Sequence, residues 1–325
     1  MIRRIEEFFP ARLREPWRMC LVSFDKLEEI RIRVMQPVLI RWNGLEYSLT
    51  IDGELMEIEK KGNKTFVIYS DKDIDDIFRY FCHDSVYAYE EERRKGVMTI
   101  EGGHRVGLAG EMVYTEGQGY IMKYIRYMNI RVAHEIKGIA KELMPWIASS
   151  KGVYNTLIVS PPGIGKTTLL RDIIRLLSNG EGTEKGYTVG VIDERGELAA
   201  AYRGGASMDC GCRADVITGG TKQEGVRRLL RTFAPRVIAM DEIGLAEDAE
   251  AIRYAGVSGC GVIATIHAAS WEDLLCKREV EQLLKEKLFR RILLLTRGEK
   301  RERYVQVLDE GGRELCGIRQ LQADW

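Results

Sequence analysis

The chain has 325 residues, with 49 Lys or Arg against 49 Asp or Glu, so its formal net charge is zero. This length favours two domains, each large enough for its own core. The balanced charge argues against a generally basic nucleic-acid-binding protein, although not against a local basic patch. No apolar run is long enough to span a membrane, and the charged first turns are unlike a signal peptide. Seven cysteines, an odd number at irregular spacing, fit a reducing cytoplasm, so we expect a cytoplasmic protein.

Residues 1–148 are predicted to form a smaller N-terminal α+β domain. Ile2, Ile5, Phe8 and Phe9 predict a short amphipathic helix docked on it, in preference to a membrane anchor. Residues 38–42 alternate like a strand, turn at Asn43-Gly44 and return over 47–51, which is typical of a β-hairpin. The spacing over 71–80 predicts a helix capped by Asp71 or Asp73. We expect further helical residues over 85–92 and 139–147, strands over 96–100, 104–109, 111–114 and 124–131, and a junction at 149–152.

Residues 149–325 are predicted to form an α/β domain with a RecA-like P-loop core. An apolar strand over 155–159 runs directly into a glycine-rich loop and an amphipathic helix, which is the expected context of a P-loop. Backbone N–H groups of such a loop surround phosphates, and the helix N-terminus adds positive partial charge. We therefore expect nucleotide contacts from Ser160, Pro161, Pro162, Gly163, Ile164, Gly165, Lys166, Thr167 and Thr168.

Particular chemistry is expected at the end of this loop. Lys166 can reach the β- and γ-phosphates as a point charge, and the Thr167 hydroxyl can ligate Mg²⁺. Ser160 stands where the usual motif has its first glycine, whereas Gly163 and Gly165 are retained. The predicted ligands are accordingly ATP and Mg²⁺.

A second strand, predicted over 236–240, ends in Asp241 and Glu242. In P-loop NTPases a strand-end Asp holds Mg²⁺, and a following Glu can polarise the attacking water. A third strand over 187–192 ends in an acidic cluster that contains Glu194, also at a carboxyl end where open α/β sheets bind ligands. Either Glu242 or Glu194 could be the general base, and the sequence leaves that choice open.

Thr265 and His267 lie at the end of another predicted strand, over 261–265, and could sense the γ-phosphate. The alternative is a histidine satisfied within the fold. A long glycine-rich loop over 203–220 is expected to be functional, because structureless loops of that length are uncommon. The remaining predicted elements are helices over 222–233, 246–255, 271–276 and 279–287 and a terminal hairpin of 289–296 with 303–308.

Two further sets of residues have competing interpretations. Cys210 and Cys212 could suggest a metal, but no second Cys/His cluster with zinc spacing accompanies them, so ordinary loop thiols are favoured. Arg105, Arg126 and Arg131 lie on predicted strands, where an arginine is not needed for packing. Each could act on a γ-phosphate in trans or be a surface residue.

The chain resembles the stage III sporulation protein AA family over nearly its whole length. More remotely, the order of its motifs resembles the ATPases of type II secretion and type IV pilus systems, with Asp193-Glu194 at their Asp box and His267 at their His box. The segments that carry the family resemblance are 102–107, 129–133, 160–168, 191–198, 234–244 and 264–268.

The resemblance implies an ATPase of the mother-cell machinery in endospore-forming bacteria. It further implies a homo-oligomeric, hexameric ring with nucleotide between subunits, and an N-terminal domain that supplies arginines, of which Arg126 and Arg131 match best. The implied partner is a membrane-embedded sporulation complex, with the ATPase docked on its cytoplasmic side.

We therefore predict Mg²⁺-dependent ATP hydrolysis that drives a conformational cycle. One alternative is a nucleic-acid-associated RecA-like ATPase, which would need a positive stripe with stacking aromatic residues. The stretch 227–236 has arginines but, of aromatic residues, only Phe233, so nucleic acid is not an expected partner. Another alternative is a nucleotide-gated scaffold with negligible turnover.

Overall fold

The computed structural model describes residues 4–60, 62–116, 119–202, 204–299 and 302–321. The chain divides into two compact units, Met1–His134 and Glu135–Trp325. The predicted boundary at 148/149 lies further along the chain than this division. The reason is that Ile139, Leu143 and Ile147 are buried in the same core as the helix that follows the P-loop, so this segment packs with the second unit. Within the described ranges, no helix is long and apolar enough to cross a bilayer.

The first unit is a seven-stranded sheet with helices. Its strands are β1 (Leu27–Arg33), β2 (Leu39–Trp42), β3 (Leu45–Leu49), β4 (Leu55–Met56), β5 (Val97–Ile100), β6 (His104–Thr115) and β7 (Gly119–Arg131), in the order β4-β3-β2-β1-β7-β6-β5. Its α-helices are α1 (Glu15–Met19), α2 (Asp71–Phe81) and α3 (Glu90–Lys95). Short 3₁₀ helices lie at Ile5–Phe8, Ala11–Leu13, Phe24–Lys26, Ile58–Lys60 and Val86–Tyr89.

Local sequence signals explain several of these elements. The predicted β2–β3 hairpin is confirmed: Asn43 and Gly44 both adopt positive φ, as the tight turn requires. The predicted N-terminal helix is a short 3₁₀ turn over the described residues, with Phe8 and Phe9 buried, whereas Ile2 lies outside them.

Two predictions for this unit were wrong in detail. Helix α2 is capped by Ser70, not by Asp71 or Asp73. The Ser70 hydroxyl accepts a hydrogen bond from the Asp73 N–H, and the Asp73 carboxylate accepts one from the Ser70 N–H. The two predicted strands 104–109 and 111–114 form one strand, β6, with an irregular register at Gly110. A Cβ at Gly110 would lie 1.9 Å from the Tyr124 carbonyl oxygen, so this glycine permits a close approach without ending the strand.

The second unit contains an eight-stranded sheet and a small hairpin. The strands are β8 (Ala148–Ser149), β9 (Gly152–Val153), β10 (Thr156–Ser160), β11 (Val189–Asp193), β12 (Ala214–Thr218), β13 (Val237–Met240), β14 (Gly261–His267), β15 (Arg291–Arg297), β16 (Arg303–Leu308) and β17 (Glu314–Gln320). The helices are α4 (Met144–Ile147), α5 (Lys166–Asn179), α6 (Lys222–Thr232), α7 (Ala246–Val257), α8 (Trp271–Leu275) and α9 (Arg278–Lys285), with a 3₁₀ turn at Lys141–Leu143.

The main sheet has the order β12-β11-β13-β14-β10-β15-β16-β17. The strands from β12 to β15 run parallel, and β16 and β17 extend that edge in antiparallel pairing. Alternate residues of the parallel strands enter two buried clusters, one shared with α5 and the other with α6, α7 and α9. This three-layer arrangement matches the predicted RecA-like α/β fold and brings the carboxyl ends of β10, β11, β13 and β14 to one edge.

Three elements of this unit differ from prediction. The loop over 203–220 contains strand β12, which pairs in parallel with β11. The predicted terminal hairpin, β15 with β16, is present but is followed by a third strand, β17. The predicted junction at 149–152 is the turn of the β8–β9 hairpin.

Candidate functional site

The loop between β10 and α5 is shaped by two glycines. Gly163 and Gly165 have φ values of 74° and 115°, which favour glycine, and Gly165 is the residue that caps α5. Ser160 is absent from the positive-φ residues, so the position of the usual first glycine does not need one here. The first amides of α5 have no partner within the helix, and they lie where an anion would be bound.

Lys166, the first residue of α5, is buried at 6% exposure. Its Nζ donates to the carbonyl oxygens of Ser160 and Pro161 at 3.1 and 3.3 Å, and to the Ser160 hydroxyl at 3.4 Å. The same Nζ lies 2.8 Å from His267 Nδ1. Burial lowers the pKa of Lys166, while the negative charges of Asp241 and Glu242 act in the opposite direction. The ammonium group is thus held against the carbonyl groups of the loop, and burial of its charge has an electrostatic cost.

A chain of short hydrogen bonds connects α5 to the ends of β13 and β14. The Thr167 hydroxyl donates to Asp241 Oδ2 at 2.7 Å, and the Thr265 hydroxyl donates to Asp241 Oδ1 at 2.5 Å. The backbone N–H of Glu242 donates to the Thr265 hydroxyl at 2.8 Å. Both oxygens of the Asp241 carboxylate are therefore oriented by threonine hydroxyls.

Glu242 has an unusual backbone and two charged or titratable neighbours. Its φ is 50°, a region that a residue with a side chain enters at a cost of about 1–3 kcal/mol and that is concentrated at functional sites. Its carboxylate pairs with Arg195 and lies 3.4 Å from His267 Nε2. His267 thus stands between the Lys166 ammonium and the Glu242 carboxylate.

The acidic residues after β11 have separate roles in the structure. Asp193 is buried, and its carboxylate accepts three backbone N–H groups, from Glu197, Leu198 and Ala199, at 2.8–3.1 Å. Burial raises the pKa of Asp193, and those hydrogen bonds oppose the rise. Asp193 therefore holds the following loop in shape.

Glu194 points to a different partner. Its Oε2 accepts from Lys222 Nζ at 2.7 Å, and this lysine is almost fully buried at the start of α6. Lys222 Nζ also lies 3.5 Å from Asp248, whose carboxylate accepts the N–H groups of Gly244 and Leu245. One buried ion network therefore joins the loops that follow β11 and β13.

Three supporting residues were missed by the sequence reasoning. Arg303 on β16 donates to the Ile164 carbonyl within the P-loop at 2.7 Å. Arg171 on α5 donates to the Leu198 and Glu197 carbonyls, and Lys222 is the third. The pairs Arg303–Ile164 and Lys222–Glu194 are separated by 139 and 28 residues, so only the fold brings them together.

Arg126 and Arg131 belong to the first unit, on β7. Arg126 forms an ion pair of 2.8 Å with Asp71 at the start of α2. Arg131 is exposed and pairs in register with Arg105 on β6. The two arginines thus differ in their surroundings: among the described contacts, only Arg126 forms an ion pair with a carboxylate.

The residues of the second-unit site fit Mg²⁺, which prefers oxygen ligands. Mg²⁺ is usually held by one or two carboxylates together with substrate phosphates, and Thr167 and Asp241 would supply a hydroxyl and a carboxylate. Over the described parts of the chain, no cluster of at least three His, Cys, Asp or Glu could hold a metal alone. Cys210 and Cys212 are both unpaired thiols.

Comparison with known proteins identifies the family of this chain. Residues 2–315 match the family model described as sporulation stage III, protein AA. The chain belongs to this family. Stage III sporulation protein AA of Bacillus subtilis strain 168 is 35% identical over 292 residues, which cover 89% of each protein. The family resemblance predicted from the motifs is confirmed.

Solved structures show where the fold of this family member belongs. The crystal structure of the pilus retraction motor PilT with bound ADP matches 94% of this chain and 83% of its own, with a TM-score of 0.57 and 15% identity. The ATPase DotB of Legionella pneumophila matches 87% and 77%, with a TM-score of 0.53 and 16% identity. At such identities the likeness establishes the fold, which is that of pilus and secretion ATPases.

Proposed function

We propose that this family member is a Mg²⁺-dependent ATPase that converts ATP and water to ADP and phosphate. The observation that carries the proposal is the contact of 2.7 Å between the Thr167 hydroxyl, at the start of α5, and the Asp241 carboxylate, at the end of β13. It joins the P-loop to the strand end that holds the metal in P-loop NTPases. ADP in the PilT structure and the name of DotB as an ATPase support the proposal.

In this proposal each side chain has one task. The amides of residues 163–168 and the Lys166 ammonium would bind the phosphates. Thr167 and Asp241 would hold Mg²⁺, which when bound neutralises charge on the phosphate oxygens. His267, in contact with Lys166 at 2.8 Å, would report the phosphate state, because any change in the position of the ammonium changes this contact.

We propose Glu242 as the general base, with Glu194 as the alternative. Glu242 follows the metal-binding residue directly, and its carboxylate lies beside His267. Glu194 is paired with the buried Lys222 at 2.7 Å, whereas the arginine that pairs with Glu242, Arg195, is exposed. If Glu194→Gln stops hydrolysis and Glu242→Gln does not, the assignment moves to Glu194.

The finer biology rests on the family and on the fold. We propose a homo-oligomeric ring, a hexamer, that works on the cytoplasmic side of a membrane-embedded sporulation complex. Arg126 or Arg131 would supply a cation to a nucleotide in the ring. Arg131 is the better candidate, because Arg126 is paired with Asp71 in the described structure.

The test is native mass measurement of the full chain with and without a non-hydrolysable ATP analogue, together with phosphate release. We expect a nucleotide-stabilised ring and Mg²⁺-dependent turnover, and a monomer insensitive to nucleotide would contradict the ring. Stimulation of turnover by DNA or RNA would favour the nucleic-acid-associated alternative. Tight ATP binding without turnover, even with membrane partners present, would favour a nucleotide-gated scaffold.

A further inference from the structure

Thr265 occupies an unusual position for a polar residue. It lies near the end of β14 with no exposed surface, between buried apolar neighbours Ala264 and Ile266. Buried hydroxyl groups are costly unless their hydrogen bonds are made. A valine would fill almost the same volume in a strand without that requirement.

The Thr265 hydroxyl makes two hydrogen bonds whose directions are fixed by chemistry. It has one hydrogen, which it donates to Asp241 Oδ1 at 2.5 Å, and its oxygen accepts the Glu242 N–H at 2.8 Å. The backbone carbonyl of Thr265 accepts the N–H of Ile243 at 2.8 Å. One residue therefore contacts three consecutive residues that follow β13.

These contacts matter because the chain turns sharply at this point. Glu242 has a φ of 50°, and its side chain contacts His267 and Arg195. Its N–H also contacts Asp241 Oδ1 at 3.1 Å, so the carboxylate, the hydroxyl and the amide form a closed set of hydrogen bonds. A change in one member alters the position of the other two.

We propose that Thr265 is a positioning residue that sets both the Asp241 carboxylate for Mg²⁺ and the Glu242 backbone for the general base. This inference deepens the proposed function and rests on it for the roles of Asp241 and Glu242. Thr265 itself would contact neither substrate nor metal. It acts through the orientation of its two neighbours, as outer partners of metal ligands commonly do.

The experiment compares Thr265→Val with Thr265→Ser in the full chain. The valine keeps the shape and removes both hydrogen bonds, whereas the serine keeps the hydroxyl and removes a methyl group. For Thr265→Val we expect the half-saturating Mg²⁺ concentration to rise about 10- to 100-fold. We expect kcat to fall on the order of 10²-fold, the effect of a misplaced reacting group, with nucleotide affinity in the absence of Mg²⁺ unchanged. Thr265→Ser should lie much nearer to wild type in both quantities.

A second readout needs neither nucleotide nor turnover. Amide hydrogen exchange in the peptide over 237–245 should speed up in Thr265→Val, because the Glu242 N–H loses the nearer of its two acceptors, and should stay near the wild-type rate in Thr265→Ser. A wild-type chain with no ATP turnover but with this exchange pattern would refute the proposed function and leave the positioning contact supported. Equal exchange, Mg²⁺ requirement and kcat in Thr265→Val and wild type would overturn the inference. Equal defects in the valine and serine variants would also overturn it, because they would assign the effect to the lost methyl contacts.

Discussion

Replacement of Lys166 by Met should have opposite effects on stability and on nucleotide binding. The methionine keeps a straight side chain of similar length and removes the ammonium. In the protein without nucleotide, burial lowers the pKa of Lys166 from its ordinary 10.5, so folding disfavours the charged form. We therefore expect Lys166→Met to raise the free energy of unfolding at neutral pH. The expected gain is about 0.5–2 kcal/mol, the usual size when a residue that serves function at the expense of stability is replaced.

The sign of the pH dependence follows from the same shift. A lysine whose folded-state pKa is lowered costs stability below that pKa, and the cost disappears as pH rises towards the unfolded value. The stability difference between Lys166→Met and wild type should therefore shrink as the pH approaches 10.5. Thermal unfolding across this pH range measures the difference, with about 2–4 °C expected per kcal/mol.

ATP affinity should change in the opposite direction. A charge-assisted hydrogen bond is worth about 1.5–3 kcal/mol, so we expect roughly 10- to 100-fold weaker binding by calorimetry. Lys185→Met is the matched control, because Lys185 is exposed in the same unit and should change neither quantity. Unchanged ATP binding in Lys166→Met would refute the phosphate role. A loss of more than about 2 kcal/mol in stability would show that the contacts of Lys166 with Ser160 and Pro161 are structural.

Three further predictions follow from the contacts at and around the site. Asp193→Asn should lower the free energy of unfolding by about 1–3 kcal/mol, because an amide cannot accept all three backbone N–H groups; unchanged denaturant unfolding would contradict this. Glu242→Gln should bind ATP with Mg²⁺ normally and hydrolyse it about 10²- to 10⁴-fold more slowly, whereas Glu194→Gln should hydrolyse it at near the wild-type rate. Arg131→Ala should slow hydrolysis by roughly 10³- to 10⁵-fold at unchanged ATP affinity. Mixing it with Lys166→Ala should restore part of the rate, and no recovery in verified mixed oligomers would make Arg131 a surface residue.

The site elements that could be predicted are those whose signals are local in sequence. The P-loop, the strand that ends at Asp241 and the strand that leads to His267 each combine an apolar run with polar residues at its carboxyl end. Parallel pairing then places those ends at one edge, so the contact between Thr167 and Asp241 follows from topology.

The parts that could not be predicted depend on context. Strand β12 is only five residues long, has partly exposed side chains and lies in a glycine-rich segment between Gly211 and Gly219, so the segment as a whole resembles a loop. Its place in the sheet comes from pairing with β11. The cap of α2 was assigned to the wrong residue because Ser70 precedes two aspartates that are also good caps. The partner of Glu194 and the support of the P-loop by Arg303 depend on long-range packing.

The measurement that tests the central claim most directly is phosphate release by the full chain and by Asp241→Asn, with and without Mg²⁺. Asp215→Asn, on β12 of the same sheet, is the control for a lost carboxylate. We predict release that requires Mg²⁺ in wild type and in the control, and a rate lower on the order of 10²-fold or more in Asp241→Asn, with ATP binding retained. Release at the wild-type rate in Asp241→Asn, or release independent of Mg²⁺, would contradict an ATPase site built on Thr167 and Asp241.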